Sequence, residues 1–295
     1  MSSPAAEIEV DEALVRGLLA DQQPDLAGLD LVEVGTGWDN VLWRLGDTLA
    51  VRLPRRALAA PLLLHEQQWL PELAPHLPLP VPAPVRLGRP SAGYPWSWSV
   101  VPWLGGGPGD REAITETEDA ARRVGEFLRA LHHPAPPSAP DNPYRGVRLI
   151  DRASAFEERI GQLASEVDVA AVRRVWEDAV AAPAHPGPKV WIHGDLHPAN
   201  VLILDGTVSA VIDFGDMCAG DPATDVAAAW MLLPTSAQTT FRKAYGGVQP
   251  DLERRSRGWA LLFALMLLAV GLDDRPSYEE VARSTLRRTL SRPVP

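Results

Sequence analysis

Residues 191–203 read W-I-H-G-D-L-H-P-A-N-V-L-I, and His193, Asp195 and His197 alternate there with Gly194 and Leu196. Two kinds of chemistry suit these side chains. Imidazoles and a carboxylate so close together suggest a transition-metal cluster of the hydrolase kind. Asp195 followed five residues later by Asn200 instead suits phosphoryl transfer. That reaction asks for little covalent chemistry from the protein. It needs an acceptor hydroxyl aimed in line and Mg²⁺ ions bridging phosphate oxygens.

The metal-cluster reading needs further ligands from other loops, each imidazole oriented by a partner. Seven histidines are present, but His65, His76, His132, His133 and His185 do not repeat the clustered spacing. His193 and His197 would share a helix face in an H-E-x-x-H arrangement. Pro198 and the preceding K-V-W-I predict a strand running into a loop instead. The phosphoryl-transfer reading gains a third group. Val201–Leu204 and Val208–Ile212 flank Asp205-Gly206, a strong hairpin signal. The returning arm ends in V-I-D-F-G and delivers Asp213. Asp195 would orient the hydroxyl and take its proton. Asn200 and Asp213 would offer oxygen to Mg²⁺, a hard cation that prefers it.

The elements around this stretch follow from periodicity. Ile8, Val10, Leu14, Leu18 and Leu19 give an N-terminal helix pattern. Short β-like runs follow at Leu31–Val34, Val41–Leu45 and Leu49–Leu53, separated by Gly35-Thr36-Gly37 and Gly46-Asp47. A helix pattern over 58–73 is expected to kink or restart at Pro71. L-P-L-P-V-P-A-P-V must be extended. Trp96–Val101 is β-like and ends in P-W-L-G-G-G-P-G, the best boundary in the chain. Helix patterns then cover 111–132, 151–163, 167–181, 221–232, 235–245, 257–271 and 277–290, with a surface loop over 134–143. A β-rich first third and a helical remainder predict an α+β fold of two lobes. The expected division is 1–101, a connecting segment 102–107, and 108–295.

The run H-G-D-L-H-P-A-N-V-L-I-L-D-G…V-I-D-F-G-D…G-D-P-A-T-D-V-A closely resembles the aminoglycoside phosphotransferase family, densely over about 190–230. The resemblance implies a protein-kinase-like fold with a small β-rich N-lobe and a larger, mostly helical C-lobe. It implies ATP (or GTP) with Mg²⁺ as cofactors and a small-molecule hydroxyl as acceptor. Asp195 becomes the catalytic aspartate, and Asn200 and Asp213 the Mg²⁺ ligands. His193 and His197 are expected to order the loop, and Asp225 to anchor its backbone. Gly35 and Gly37 fall where a phosphate-covering loop belongs. T-L-A-V-R-L-P places Arg52 where the kinase pattern has lysine, with Glu66 as its expected ion-pair partner. Guanidinium suits phosphate but is longer and planar, so the exchange is not neutral. In S-V-V-P-W-L, Pro102 has no N–H, so Val101 or Trp103 must donate to the nucleotide base.

The acceptor is the least determined part, since a fold does not choose a substrate. An antibiotic such as an aminoglycoside leads on family frequency. Alternatives are a macrolide, a peptide antibiotic, a sugar or an amino alcohol, or a catalytically weak nucleotide-binding protein. Asp216, Asp273 and Asp274 are the candidate acceptor contacts. Residues 251–295 hold six acids against eight arginines and so form no acidic wall. The net charge of -10 is likewise concentrated, with nine acids and one base in residues 1–40. No basic stripe interleaved with aromatics points to nucleic acid. The longest apolar run, Trp259–Val270, is too short to span a bilayer. The single cysteine, Cys218, excludes an internal disulfide. With no apolar leader pattern in the first residues, a cytoplasmic monomer without a membrane partner is expected.

Overall fold

The computed structural model describes residues 5–273 and 275–291. The chain divides into two compact units. One comprises residues 5–75 with Pro80–Leu104, the other Gly105 onward with His76–Leu79. The fold is α+β: the first unit is built on an antiparallel sheet and the second is mostly helical.

In the first unit, β1 (Leu31–Thr36), β2 (Asn40–Leu45), β3 (Leu49–Pro54), β4 (Arg86–Gly88) and β5 (Trp98–Pro102) form one sheet in the order β1-β2-β3-β5-β4. Every neighbouring pair is antiparallel. Strand side chains alternate between faces. Val41, Trp43 and Leu45 of β2 and Val51 and Leu53 of β3 therefore share one buried face. Helix α1 (Glu12–Gln22) covers it with Val15, Leu18 and Leu19. Asp11 caps that helix, its carboxylate accepting from the Leu14 N–H at 2.8 Å.

Arg52 falls on the other face of β3, where α2 (Ala60–Leu73) supplies Glu66. Gln67 of α2 donates to the Trp98 carbonyl at 2.9 Å and to Ser99 Oγ at 3.0 Å, tying the helix to β5. The helix does not restart at Pro71. α2 runs on to Leu73, and the proline falls in its last turn, close to where the helix ends anyway. β4 has only three residues and follows the Pro-rich stretch, too short to show alternation in the sequence.

The second unit opens with β6 (Gly107–Pro108) and α3 (Thr117–Leu131), then α4 (Ala153–Gln162) and α5 (Val169–Ala181). Strand β7 (Val190–Ile192) leads into the chemistry-bearing loop. Next come the hairpin β8 (Val201–Leu204) and β9 (Thr207–Val211), and β10 (Cys218–Gly220). β10 pairs with β7, and β6 extends the hairpin alongside β8. α3 begins later than the pattern suggested because residues 107–116 are taken up by β6 and its connection.

The helices that follow are α6 (Ala223–Val226), α7 (Ala228–Leu232), α8 (Gln238–Tyr245), α9 (Pro250–Gly271) and α10 (Pro276–Leu290). α9 starts at Pro250, seven residues earlier than apolar periodicity indicated. A proline in the first turn and the acids Asp251 and Glu253 behind it suit a helix start, but the apolar face begins only later. Its Trp259, Leu261, Leu262, Leu265 and Leu268 form the centre of this unit's core, joined by Phe156, Val172, Trp176 and Trp230. Each fully buried leucine contributes about 1.5–3 kcal/mol. No helix among the described residues is long and apolar enough to cross a membrane.

One close approach in the first unit is directly testable. Gly88 lies opposite the fully buried Trp98, and a Cβ on it would sit 1.9 Å from the indole Cε2. Gly88→Ala is expected to destabilise by about 1–3 kcal/mol through overpacking. Urea unfolding should show a lower midpoint with an unchanged slope; an unaltered midpoint would mean that the ring has room to shift.

Candidate active site

The loop after β7 is held from beneath by one carboxylate. Asp225, on α6 and wholly buried, accepts the His193 N–H at 2.6 Å and the Gly194 N–H at 2.9 Å, one on each oxygen. His132, just past α3, places Nε2 at 3.2 Å from Asp225 Oδ2 and Nδ1 at 2.9 Å from the Tyr245 hydroxyl. Sequence reasoning missed His132 because it is 93 residues from Asp225, and a histidine at a helix end carries no special signal. Gly194 has φ +85°, and a Cβ there would come 2.5 Å from the Asp216 carbonyl oxygen, so the turn requires glycine.

Both histidines of the quoted stretch spend their nitrogens on the loop itself. His193 Nε2 donates to the Ile212 carbonyl at 2.9 Å, and its Nδ1 accepts the Asp195 N–H at 3.2 Å. Its ring packs on buried Phe214 with centroids 4.5 Å apart. His197 Nδ1 accepts the Ala199 N–H at 3.3 Å, and Nε2 lies 3.5 Å from Asp195 Oδ2. Among the described residues, no three His, Cys, Asp or Glu side chains are grouped to hold a metal ion.

The oxygens of the site come together differently. Asn200 Nδ2 donates to the Asp195 carbonyl at 2.9 Å, and Oδ1 of Asn200 accepts no hydrogen bond from the described residues. The Asn200 carbonyl accepts the Ile212 N–H at 2.9 Å, which registers the loop against the segment after β9 that carries Asp213. Asp213 is exposed, at φ +62°, a left-handed conformation that costs a non-glycine residue energy. It is held there between the tied Ile212 and the buried Phe214.

Arg145 is a second unanticipated member. It reaches out of the loop after α3, with Nη2 donating to Asp195 Oδ1 at 2.9 Å and Nε 3.4 Å from Asp216 Oδ2. Asn142 braces it. Its side-chain carbonyl accepts the N–H groups of Tyr144 and Arg145, and its amide donates to Asp216 Oδ1 at 2.7 Å. Burial raises the Asp195 carboxyl, but the charge of Arg145, with the His197 ring beside it, outweighs that and leaves Asp195 well below the ordinary carboxylate range. Burial instead wins at Asp216, whose carboxyl is raised despite Arg145. Asp273 is exposed beyond the end of α9, and Asp274 lies outside the described residues. Asp221 is engaged by Arg255 at 2.7 Å and caps the Ala223 N–H at 3.0 Å.

In the β-rich unit, Arg52 Nη1 donates to Glu66 Oε2 at 2.5 Å, both side chains buried. Gly35 sits at a bulge in β1, and the Gly37 N–H closes a turn onto the Asn40 carbonyl at 2.8 Å. The Trp103 N–H is spent on the Thr48 carbonyl at 2.8 Å. Antiparallel pairs alternate between bonded and non-bonded. Val101, two residues away and opposite Ala50, therefore also turns its N–H toward β3. Neither group is open to a ligand, which corrects the donor assignment made from the sequence. By the same alternation the Pro102 carbonyl turns away from β3, to the open side of the strand. The proline drew attention to its neighbours, but strand register decides which of them face outward.

Comparison with known proteins agrees with this architecture. Aminoglycoside 2'-phosphotransferase-IIIa in its GDP complex superposes with a TM-score of 0.69 at 19% identity, over 95% of this chain and 99% of that one. Macrolide 2'-phosphotransferase MphH from Brachybacterium faecium gives a TM-score of 0.60 at 24% identity, over 95% and 98%. Homoserine kinase of Gluconacetobacter diazotrophicus is 37% identical over 107 residues, 32% of this chain and 31% of that protein. The uncharacterized protein YcbJ of Bacillus subtilis is 25% identical over 159 residues, 53% of this chain and 50% of that protein. The matches thus span about half and about a third of these two relatives. The family model described as "Phosphotransferase enzyme family" matches residues 30–259, more than half of the chain and both of its units, and the protein belongs to that family.

Proposed function

We propose that the protein transfers the γ-phosphoryl group of ATP, or of GTP, to a hydroxyl of a small molecule. The observation that carries this reading is the loop in which Asp195 and Asn200 are bonded together and registered against the segment after β9 that bears Asp213. Asp195 aligns the acceptor hydroxyl and takes its proton as the oxygen bonds to phosphorus and the nucleoside diphosphate leaves. The donor set suits Mg²⁺, which is held by one or two carboxylates, neutral oxygens and phosphate rather than by an all-protein cage. Asn200 Oδ1 and the Asp213 carboxylate are the groups that would hold it. When bound, Mg²⁺ neutralises charge on the phosphate oxygens.

In the β-rich unit, Arg52 is assigned to the nucleotide phosphates, steadied by Glu66. The Pro102 carbonyl and the Leu104 N–H are assigned to the base, one acceptor and one donor. Aminoglycoside and macrolide phosphotransferases are among the similar structures, so an antibiotic hydroxyl is the acceptor we favour. A second reading, nucleotide binding with weak transfer, is favoured by one observation: Arg145 occupies an oxygen of Asp195. The protein is taken to act as a cytoplasmic monomer.

Asp195→Asn is expected to lower kcat by roughly 10²–10⁴-fold, the range for loss of a general base, with nucleotide affinity retained. Phosphotransfer to a panel of antibiotics and metabolites, read by mass, checks this; undiminished turnover sinks the proposal. Arg52→Met removes the charge assigned to phosphate and leaves Glu66 buried without it. Nucleotide affinity should fall by about tenfold or more, and stability by about 3–5 kcal/mol. Arg52→Met,Glu66→Leu should recover the stability but not the affinity. A thermal-shift titration with nucleotide and Mg²⁺ separates the two effects, and recovery of both would limit the pair to a structural role.

A further inference from the structure

We propose that Arg145 is the specificity-determining residue of the acceptor site: it excludes polycationic acceptors and selects one that presents an anionic or hydrogen-bond-accepting group, not an ammonium group, beside the reacting hydroxyl. This rests on the reading of Asp195 as the residue that receives that hydroxyl, and it narrows the antibiotic acceptors favoured above to those that are not polycationic.

The guanidinium is fixed rather than free to swing away. It packs over the Phe263 ring at 5.1 Å, its backbone carbonyl takes the Cys218 thiol at 3.8 Å, and the Asn142 side chain braces its N–H. Its side chain is only 10% exposed. A guanidinium offers five N–H donors. Here Nη2 serves Asp195, while Nε is within ion-pair range of Asp216 without an aligned hydrogen bond. Nη1 donates to none of the described residues. An ammonium group brought to Asp195 would meet a like charge already seated on the same carboxylate, whereas a carboxylate or carbonyl would meet unused donors.

A second guanidinium stands close by. Arg275 donates to the Tyr278 hydroxyl at 3.2 Å and stacks on its ring, and it has no carboxylate within ion-pair distance among the described residues. Tyr278 in turn packs against the His197 ring, 5.8 Å between centroids, so this second guanidinium flanks the same loop. Two further carboxylates of the helical unit are paired: Asp221 has Arg255 and Glu279 has Arg283, each at 2.7 Å. Asp216, the candidate acceptor contact nearest Asp195, shares Arg145 with it. The two carboxylates that a bound ammonium group would meet beside the reacting hydroxyl, Asp195 and Asp216, are thus already engaged by one guanidinium.

Calorimetric titration with kanamycin, in the absence of nucleotide, tests the proposal. The wild-type protein should show no saturable binding up to about 1 mM. Arg145→Gln, which keeps a donor and removes the charge, should bind at least about tenfold more tightly. Arg145→Lys, which keeps the charge, should behave as wild type. Saturable sub-millimolar binding by the wild type, or no gain in Arg145→Gln, overturns the proposal. A merely structural role for Arg145 predicts no saturable binding in Arg145→Gln either, the second of these results. Should Arg145→Gln fail to fold, as judged by circular dichroism, the wild-type titration decides alone. Nucleotide–Mg²⁺ binding is measured separately by thermal shift; its absence counts against the phosphotransferase reading and leaves the charge test intact.

Discussion

The carboxylate of Asp225 sits with no solvent exposure at the start of α6 and accepts two successive backbone N–H groups, those of His193 and Gly194. Desolvating a carboxylate is costly unless hydrogen bonds replace the lost water. Here the replacements are the first peptides of the loop that carries Asp195. His132 supplies a third partner and passes the connection on to Tyr245 at the end of α8. α3, α6 and α8 are thereby committed to one arrangement of the loop. The short β7–β10 ladder fixes its entry, and the hairpin of β8 and β9 fixes its exit. Were the Asp225 carboxylate lost, two buried N–H groups and an imidazole would be left to find partners at once.

Charge at the site is balanced within a few ångströms rather than across a surface. Asp195 is kept ionised by Arg145 and His197, while neighbouring Asp216 is pushed the other way by burial. Two carboxylates with opposed tendencies thus share one guanidinium. A carboxylate held below its ordinary range is ready to accept a hydrogen bond but reluctant to keep a proton. In the proposed reaction, whose charge develops mainly on phosphate, that would suit orienting a hydroxyl.

How much was legible in the sequence depended on distance along the chain. Asp195 and Asn200 lie five residues apart, and Asp213 returns on a hairpin announced by Asp205-Gly206. Those relations are local, so spacing conveys them. The partnership of Arg52 with Glu66 joins a strand to the helix after it, and family resemblance anticipated it. Arg145 stands 50 residues from Asp195 in a proline-rich loop with no periodicity, and only folding brings them together. The start of α9 was misplaced because its first turns are polar and lie ahead of the apolar stripe. The nucleotide-base donor was misassigned because the direction of an N–H depends on strand register, which composition does not carry.

Asp213 is an exposed aspartate in the left-handed region, in a turn closed by a wholly buried phenylalanine. Asparagine and aspartate visit that region more easily than most side chains, and glycine visits it freely. The position therefore selects for backbone shape as well as for an oxygen. Alanine would remove the oxygen and burden the turn at the same time, so a loss seen with alanine mixes two causes. Asparagine keeps the shape and an oxygen while discarding the charge, and glycine keeps the shape alone. Compared with each other, those two replacements divide what this position owes to chemistry from what it owes to conformation.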